Sequence, residues 1–285
     1  MSPELPVVGL LLVAAACHAC WNAMAKRGGD PLFSILGMHV VSAVLMAGPA
    51  LVLPFPAAES WPYLALCPFL HAVYILALAR ALEAGDLGVV YPIARGSAPV
   101  LVAVGSAWLA HERLGLVESL GVGLVGVGIV SLSRAGGERA TAGPRAVSWA
   151  VLTGLSIAVY TINDGLGARS AGSAIAFGAW LHVISGVMAG AWLTLARRGE
   201  LRASFRERGR DVMIGGAIAT FAYVAVLWAL TRLPMARVSS LRETSVLFAA
   251  VIAWLVLGEG FGRRRVASAA LILVGLLLLH SGSVG

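Results

Sequence analysis

Two arginines lie where the chain should tolerate them least. Arg95 falls in the run VVYPIARGSAPVLVAVGSAWL and Arg242 in SSLRETSVLFAAVIAWLVL. Each lies about eight residues, or roughly 12 Å at 1.5 Å per residue, inside an apolar stretch. An arginine at the centre of a membrane span costs roughly 2.5 to 3.5 kcal/mol on insertion scales, so each must face a cavity, a bundle interior or a partner. The guanidinium fork suits a carboxylate or phosphate, and one reading is a cationic pocket for the anionic group of a small solute. The other is that each arginine is tied to carbonyls or to an acidic side chain and holds helices together. Glu243 is the only carboxylate deep in either run. Burial favours the neutral form of a carboxyl, which makes Glu243 a candidate for proton coupling, whereas a pair with Arg95 would make it structural. Neighbouring Arg242 and Glu243 point in different directions on a helix and are poor partners for each other.

Further polar residues recur at helical spacing. His18, Asn22 and Lys26 are four apart and make one stripe, as do Tyr160 and Asp164 later in the chain, and such stripes line a cavity or a helix contact. His71, Tyr74 and Tyr91 could add stacking or hydrogen bonds to a substrate. Glu112 and Glu259 end apolar runs and read as structural helix ends. No catalytic residue, metal site or cofactor is expected, because no His/Asp/Glu cluster has ligand spacing and no nucleophile has an evident base. The CHAC stretch at 17–20 has no second ligand cluster, and with Cys67 the cysteines lie inside apolar runs, so they read as packing residues. Gly121, Gly123 and Gly126 match a dinucleotide fingerprint but sit within an apolar span, which predicts close packing instead. Gly186 and Gly190 are read as closing helices within the monomer, with a homodimer as the other possibility.

The elements that position these residues are membrane spans. Of the 285 residues 59% are hydrophobic and 12% charged, and the mean hydropathy is +0.88, against roughly 45–50% apolar and about 25% charged in soluble domains. Apolar runs near 5–25, 32–53, 61–83, 87–110 and 114–133, then 147–168, 173–196, 211–231, 234–257 and 266–281, predict an all-α membrane protein of ten transmembrane helices. The first run is not expected to be a cleaved signal, since its positive charges, Lys26 and Arg27, follow it. The net charge of +7 falls mainly between the runs, which fits lipid headgroups of a bilayer and gives no reason to expect nucleic acid as a partner.

The two halves resemble each other. HVVSAVLMA at 39–47 matches HVISGVMAG at 182–190, placing His39 on His182. ARGSAPVLVAVGSAWLAHE at 94–112 aligns without gaps on LRETSVLFAAVIAWLVLGE at 241–259, placing Arg95 on Arg242 and Glu112 on Glu259. This divides the chain into a first five-helix repeat at 1–133, a linker at 134–146 and a second repeat at 147–285. Five is odd, so the second repeat enters the membrane from the opposite side and the repeats are inverted. Inverted repeats let a central site open to either face.

With this duplication, the segment YPIARGSAP at 91–99 leading into HE at 111–112, and RETSVLFAA at 242–250 leading into LGE at 257–259, the chain resembles the EamA family of the drug/metabolite transporter superfamily over nearly its whole length. The resemblance implies ten helices made by duplicating a five-helix unit. It also implies transport without ATP, usually outward, of small polar metabolites, amino acids among them, or of xenobiotics. His111 departs from the family pattern, which has Gly before the helix-ending Glu, and that puts the tight turn there in question.

The expected function is therefore a secondary exporter of small anionic or zwitterionic metabolites in the cell (inner) membrane. Lys26 is the only lysine and follows no phosphate-binding glycine loop, so an ATP-driven pump is not expected of this chain by itself. The alternative is an intramembrane transferase acting on lipid-linked groups; a sensor or scaffold would need a soluble domain. Connections after runs one, three, five, seven and nine carry about 15 basic residues and the others about 3, which by the positive-inside rule predicts both termini outside. Six of them fall between Arg197 and Arg210, a stretch expected to be a loop.

Overall fold

The computed structural model describes residues 4–27, 30–84, 87–134, 143–248 and 263–281. They form α1 (Leu5–Arg27), α2 (Pro31–Val52), α3 (Trp61–Ala84), α4 (Leu87–Leu109), α5 (Leu116–Arg134), α6 (Pro144–Ser170), α7 (Ala174–Ala196), α8 (Leu201–Leu230), α9 (Met235–Arg242) and α10 (Arg263–Ser281). A 3-10 turn at Ala58–Ser60 precedes α3. Six helical stretches among the described residues are long and apolar enough to cross a membrane. Large apolar side chains point outward, with Leu51 83% and Leu195 86% exposed, as expected where the surrounding solvent is lipid.

Local sequence sets several helix starts. Asp30 caps α2 by accepting the Phe33 N–H at 3.1 Å, with Pro31 in the first turn, and Ser173 caps α7 through the Ala176 N–H at 3.2 Å. Arg197, just past α7, ties that end to α2 through Asp30 at 3.1 Å and bonds Glu200 at 2.7 Å.

Two expected elements differ. The cationic stretch 197–210 is not a loop, because α8 begins at Leu201 and runs thirty residues. Its Arg, Glu, Ala and Ser residues allow helix well enough. Hydropathy detects the membrane span, and a helix that continues past it reads as a polar connection. The run expected at 234–257 is interrupted as well: α9 stops at Arg242, residues 243–244 form a turn, and the chain is helical again over 245–248. The Thr244 hydroxyl donates to the Leu241 carbonyl at 2.7 Å, and the Glu243 N–H is shared between the Ser239 and Ser240 carbonyls at 3.2 Å, so side-chain bonding competes with the helical ladder there. Most of the 134–146 linker, the end of the 234–257 run, and Glu259 with its structural role lie outside the described residues.

The chain packs as two compact units that cut across the sequence halves. Unit 1 contains residues up to Pro68 and Asp164–Arg232; unit 2 contains Phe69–Asn163 and the residues from Leu233 onward. In unit 1, α2 packs on α7 and α8, and α1 on α8 and α2. In unit 2, α4 packs on α5 and α9, and α10 on α5. Also in unit 2, α3 meets α6 where Leu70 and Tyr74 cover Ala98, Ile157 and Tyr160. The pairs α2–α7, α4–α9 and α5–α10 each join matching members of the two repeats, and α1–α8 in unit 1 has its counterpart in α3–α6 in unit 2.

Close approach depends on missing side chains. A Cβ on Gly186 would run into Ala43 and the His39 carbonyl, so this glycine lets α7 lie against α2. A Cβ on Gly121 would stand 2.7 Å from the Gly275 carbonyl, and this part of the dinucleotide-like pattern serves α5–α10 packing.

The turn after α4 is made despite the missing glycine. His111 takes φ 53 and the next N–H, of Glu112, reaches the Ser106 carbonyl at 3.2 Å. A left-handed residue with a Cβ costs about 1 kcal/mol, and His111 is exposed, so its ring contributes little packing. His111→Gly should raise stability by about 1 kcal/mol, read as a higher thermal midpoint in detergent. An unchanged or lower midpoint would show that the imidazole makes contacts worth more than the strain.

Candidate functional site

The polar core of unit 2 is assembled at the break after α9. Arg95 on α4 and Glu243 are 3% and 1% exposed, and Arg95 Nη1 donates to Glu243 Oε1 at 3.1 Å. The pair joins positions 148 residues apart. Arg242 points elsewhere, as the helical geometry requires: its Nη2 donates to the Tyr160 hydroxyl at 3.3 Å, and its guanidinium carbon lies 6.0 Å from the centre of the Tyr160 ring. Tyr160, on α6, is in turn flanked by His71 of α3, stacked at 4.6 Å, and by Tyr74, edge-on at 5.7 Å. Aromatic contacts of this kind are directional and fix the ring, so α3 and α6 together hold the hydroxyl that orients Arg242.

Among the described residues of unit 2, the buried charges are Arg95, Arg237, Arg242 and Glu243: three cations and one carboxylate. Arg237, on the first turn of α9 and 1% exposed, is not singled out by the sequence, where a basic residue near a helix start reads as an interface anchor. Glu243 Oε2 and the hydroxyls of Ser240 and Ser245 are buried without a hydrogen-bond partner, which is costly in an apolar interior.

Glu112, read from the sequence as a helix end, meets the start of another helix. Its Oε2 accepts the Met235 N–H at 2.8 Å and so satisfies an open donor at the start of α9. Glu112→Ala should cost about 1 to 2 kcal/mol, as removal of a helix cap does. The check is a denaturation midpoint measured beside Glu112→Gln, which can still accept and should lose less. Equal stability of all three proteins would mean that the contact contributes nothing.

Other expected site residues are placed elsewhere. Asp164 belongs to unit 1 and accepts a hydrogen bond from Tyr223 of α8. His182 lies edge-on to Tyr223 at 5.9 Å. Tyr223 was not legible as a site residue, because nothing in its surrounding sequence points to Asp164. On α1, Asn22 donates to the His18 carbonyl at 2.8 Å and Trp21 Nε1 to His18 Nδ1 at 3.2 Å, so these bonds of the stripe stay within the helix. The backbones of Lys26 and Tyr91 belong to α1 and α4, but their side chains lie outside what the structure describes.

Membrane-length helices, a duplicated helical unit and buried ionic residues define a polytopic membrane protein of the carrier type. A model of the EamA-like transporter family matches the chain twice, over residues 5–134 and 144–281, and the chain belongs to that family. It is accordingly a multi-pass membrane protein of two inverted five-helix repeats. One solved crystal structure has the same fold, with a TM-score of 0.71 at 16% identity, covering 98% of this chain and 96% of the other. No curated protein matches the sequence.

Proposed function

We propose that the protein is a secondary transporter that exports small polar metabolites carrying an anionic group, amino acids or organic acids among them, across the cell (inner) membrane by alternating access between its repeats. The observation that carries this reading is the pair of buried guanidiniums in unit 2, Arg95 on Glu243 Oε1 at 3.1 Å and Arg242 on the Tyr160 hydroxyl at 3.3 Å. A guanidinium in an apolar interior suits the carboxylate or phosphate of a solute, because its planar fork matches both and water does not compete for it there. In this reading Arg95 and Arg242 bind the anionic group, and His71, Tyr74 and Tyr160 set the position of Arg242. His18, Asn22, Lys26, Tyr91 and Asp164 are further candidates for lining the path. Matched repeats support alternation, because each packing arrangement has a counterpart that can take its place when the site changes sides.

The test is uptake and counterflow in proteoliposomes, using a pooled panel of amino acids, organic acids and phosphorylated compounds. Accumulation of an intact anionic or zwitterionic solute is the expected result. Recovery of a chemically altered solute would replace the carrier with an enzyme, and absence of flux across the panel would remove the anion reading.

A further inference from the structure

Resting on the transport reading above, we propose that Glu243 is an internal stand-in for the transported anion on Arg95, and that displacing it loads one proton, so that each anion crosses with one proton. The pair has the form of an exchangeable contact. A structural arginine–carboxylate pair in an apolar interior is typically bidentate and fully satisfied. Here one oxygen, Oε1, meets Arg95 Nη1 at 3.1 Å, while Oε2 is buried with no partner. Half of the acceptor capacity of the carboxylate is unused.

Its position also suits exchange. Glu243 lies at the break after α9, where its N–H is shared between two carbonyls rather than committed to one. Its side chain can leave Arg95 without unwinding a continuous helix. Ser240 and Ser245 flank it in the chain with buried, unpartnered hydroxyls, which are groups that a released neutral carboxyl can hydrogen-bond.

The charged groups acting on Glu243 are Arg95 from α4 and Arg242 beside it; Tyr160 of α6 acts through Arg242. The other helices packed against α9 are α5 and α10. α5 has ionisable residues only at Glu118 and Arg134, and α10 only at Arg263–Arg265 and His280, all toward their ends.

The exchange balances as follows. The solute anion takes the place of Oε1 on the Arg95 guanidinium, and the Nη1–Oε1 contact breaks. The carboxylate left behind has lost the guanidinium it was hydrogen-bonded to, Arg242 being turned to Tyr160, and binds one proton from the water on the side to which the site is open. On release across the membrane the proton leaves, the carboxylate returns to Arg95, and no covalent bond other than O–H has formed or broken. Loss of an anion that carries no proton of its own is thereby made electrically neutral.

The first test needs no substrate. Infrared spectra of reconstituted wild type, Arg95→Met and Arg95→Met/Glu243→Gln are compared near neutral pH for the carbonyl band of a protonated carboxyl. The single variant should gain one such group per protein and the double variant should lose it again. No new band, or a band that persists in the double variant, overturns the proposal. Should Arg95→Met not fold, the wild type decides the matter in proteoliposomes loaded with a pH-sensitive dye: one proton should move with each panel anion transported. Whatever anion flux Glu243→Gln retains should move no protons and show no response to a pH gradient. Wild-type flux without protons overturns the coupling while the transport reading stands. A protonated Glu243 in Arg95→Met with no panel solute transported by wild type leaves the carboxyl exchange standing and removes the transport reading.

Discussion

Arg95→Ala should abolish transport and destabilise the protein by about 3 to 5 kcal/mol, the range for removing one partner of a buried ion pair. The cost arises because Glu243, at 1% exposed, loses the guanidinium that compensated it and stays buried only by taking up a proton. The second substitution Glu243→Gln in that background should recover most of the stability, since an amide in the same place is neutral without taking up a proton. It should recover no transport, because the anion's cation is still missing. That split between stability and flux separates a binding arginine from a merely structural one. Thermal midpoints in detergent and panel flux in proteoliposomes, measured on the same preparations, are the check. If the single variant transports normally once folded, Arg95 does not bind the solute. Arg95→Lys should behave closer to alanine than to wild type, because an ammonium lacks the planar fork.

Arg242→Ala should lower transport at least tenfold, equivalent to about 1.4 kcal/mol of lost binding, with a stability cost of about 1 kcal/mol. The asymmetry with Arg95 follows from the partner: the Tyr160 hydroxyl that Arg242 bonds at 3.3 Å is neutral, whereas Arg95 bonds the Glu243 carboxylate. Tyr160→Phe gives the sharper test. It keeps the ring that His71 and Tyr74 flank and removes the oxygen that orients Arg242. The half-saturating concentration should rise several-fold while the maximal flux stays close to wild type, the signature of a positioning residue. A loss of maximal flux with unchanged half-saturation would instead place Tyr160 in the conformational step.

The placement of Arg95 and Glu243 was partly legible beforehand. Both stand inside apolar runs, and the insertion cost alone demands that each find a partner or a cavity. A pair between Glu243 and Arg95 of the other repeat is one of the two readings of Glu243 that the sequence leaves open. The sequence did not distinguish a pair with Glu243 from a tie to carbonyls. Glu112 could be assigned to a helix end, but not to the first N–H of α9, 123 positions away. Tyr223 and Arg237 left no signal: an aromatic residue in an apolar run and a basic residue near a helix start are both ordinary in a membrane protein.

Element boundaries show the same limit. Hydropathy located the spans because transfer to lipid is a local property summed over about twenty residues. It placed the start of α8 ten positions late, since helix formation beyond the apolar core depends on backbone propensity rather than on hydropathy. It missed the interruption at Glu243–Thr244, because hydroxyl bonding to a nearby carbonyl does not alter the apolar average.

By itself, the sequence determined that this chain lies in a bilayer, that it is duplicated, that an odd number of spans per repeat inverts the copies, and which ionisable residues must be compensated. Each of these follows from short windows of residues and the energetics of lipid. Only the tertiary structure decided that Arg95 takes Glu243 while Arg242 takes Tyr160, and that the compact units divide at Pro68 and Asp164 rather than at the linker. Those outcomes depend on which helices lie against each other, and within a bilayer that choice is made by close packing and by the pairing of the few buried polar groups.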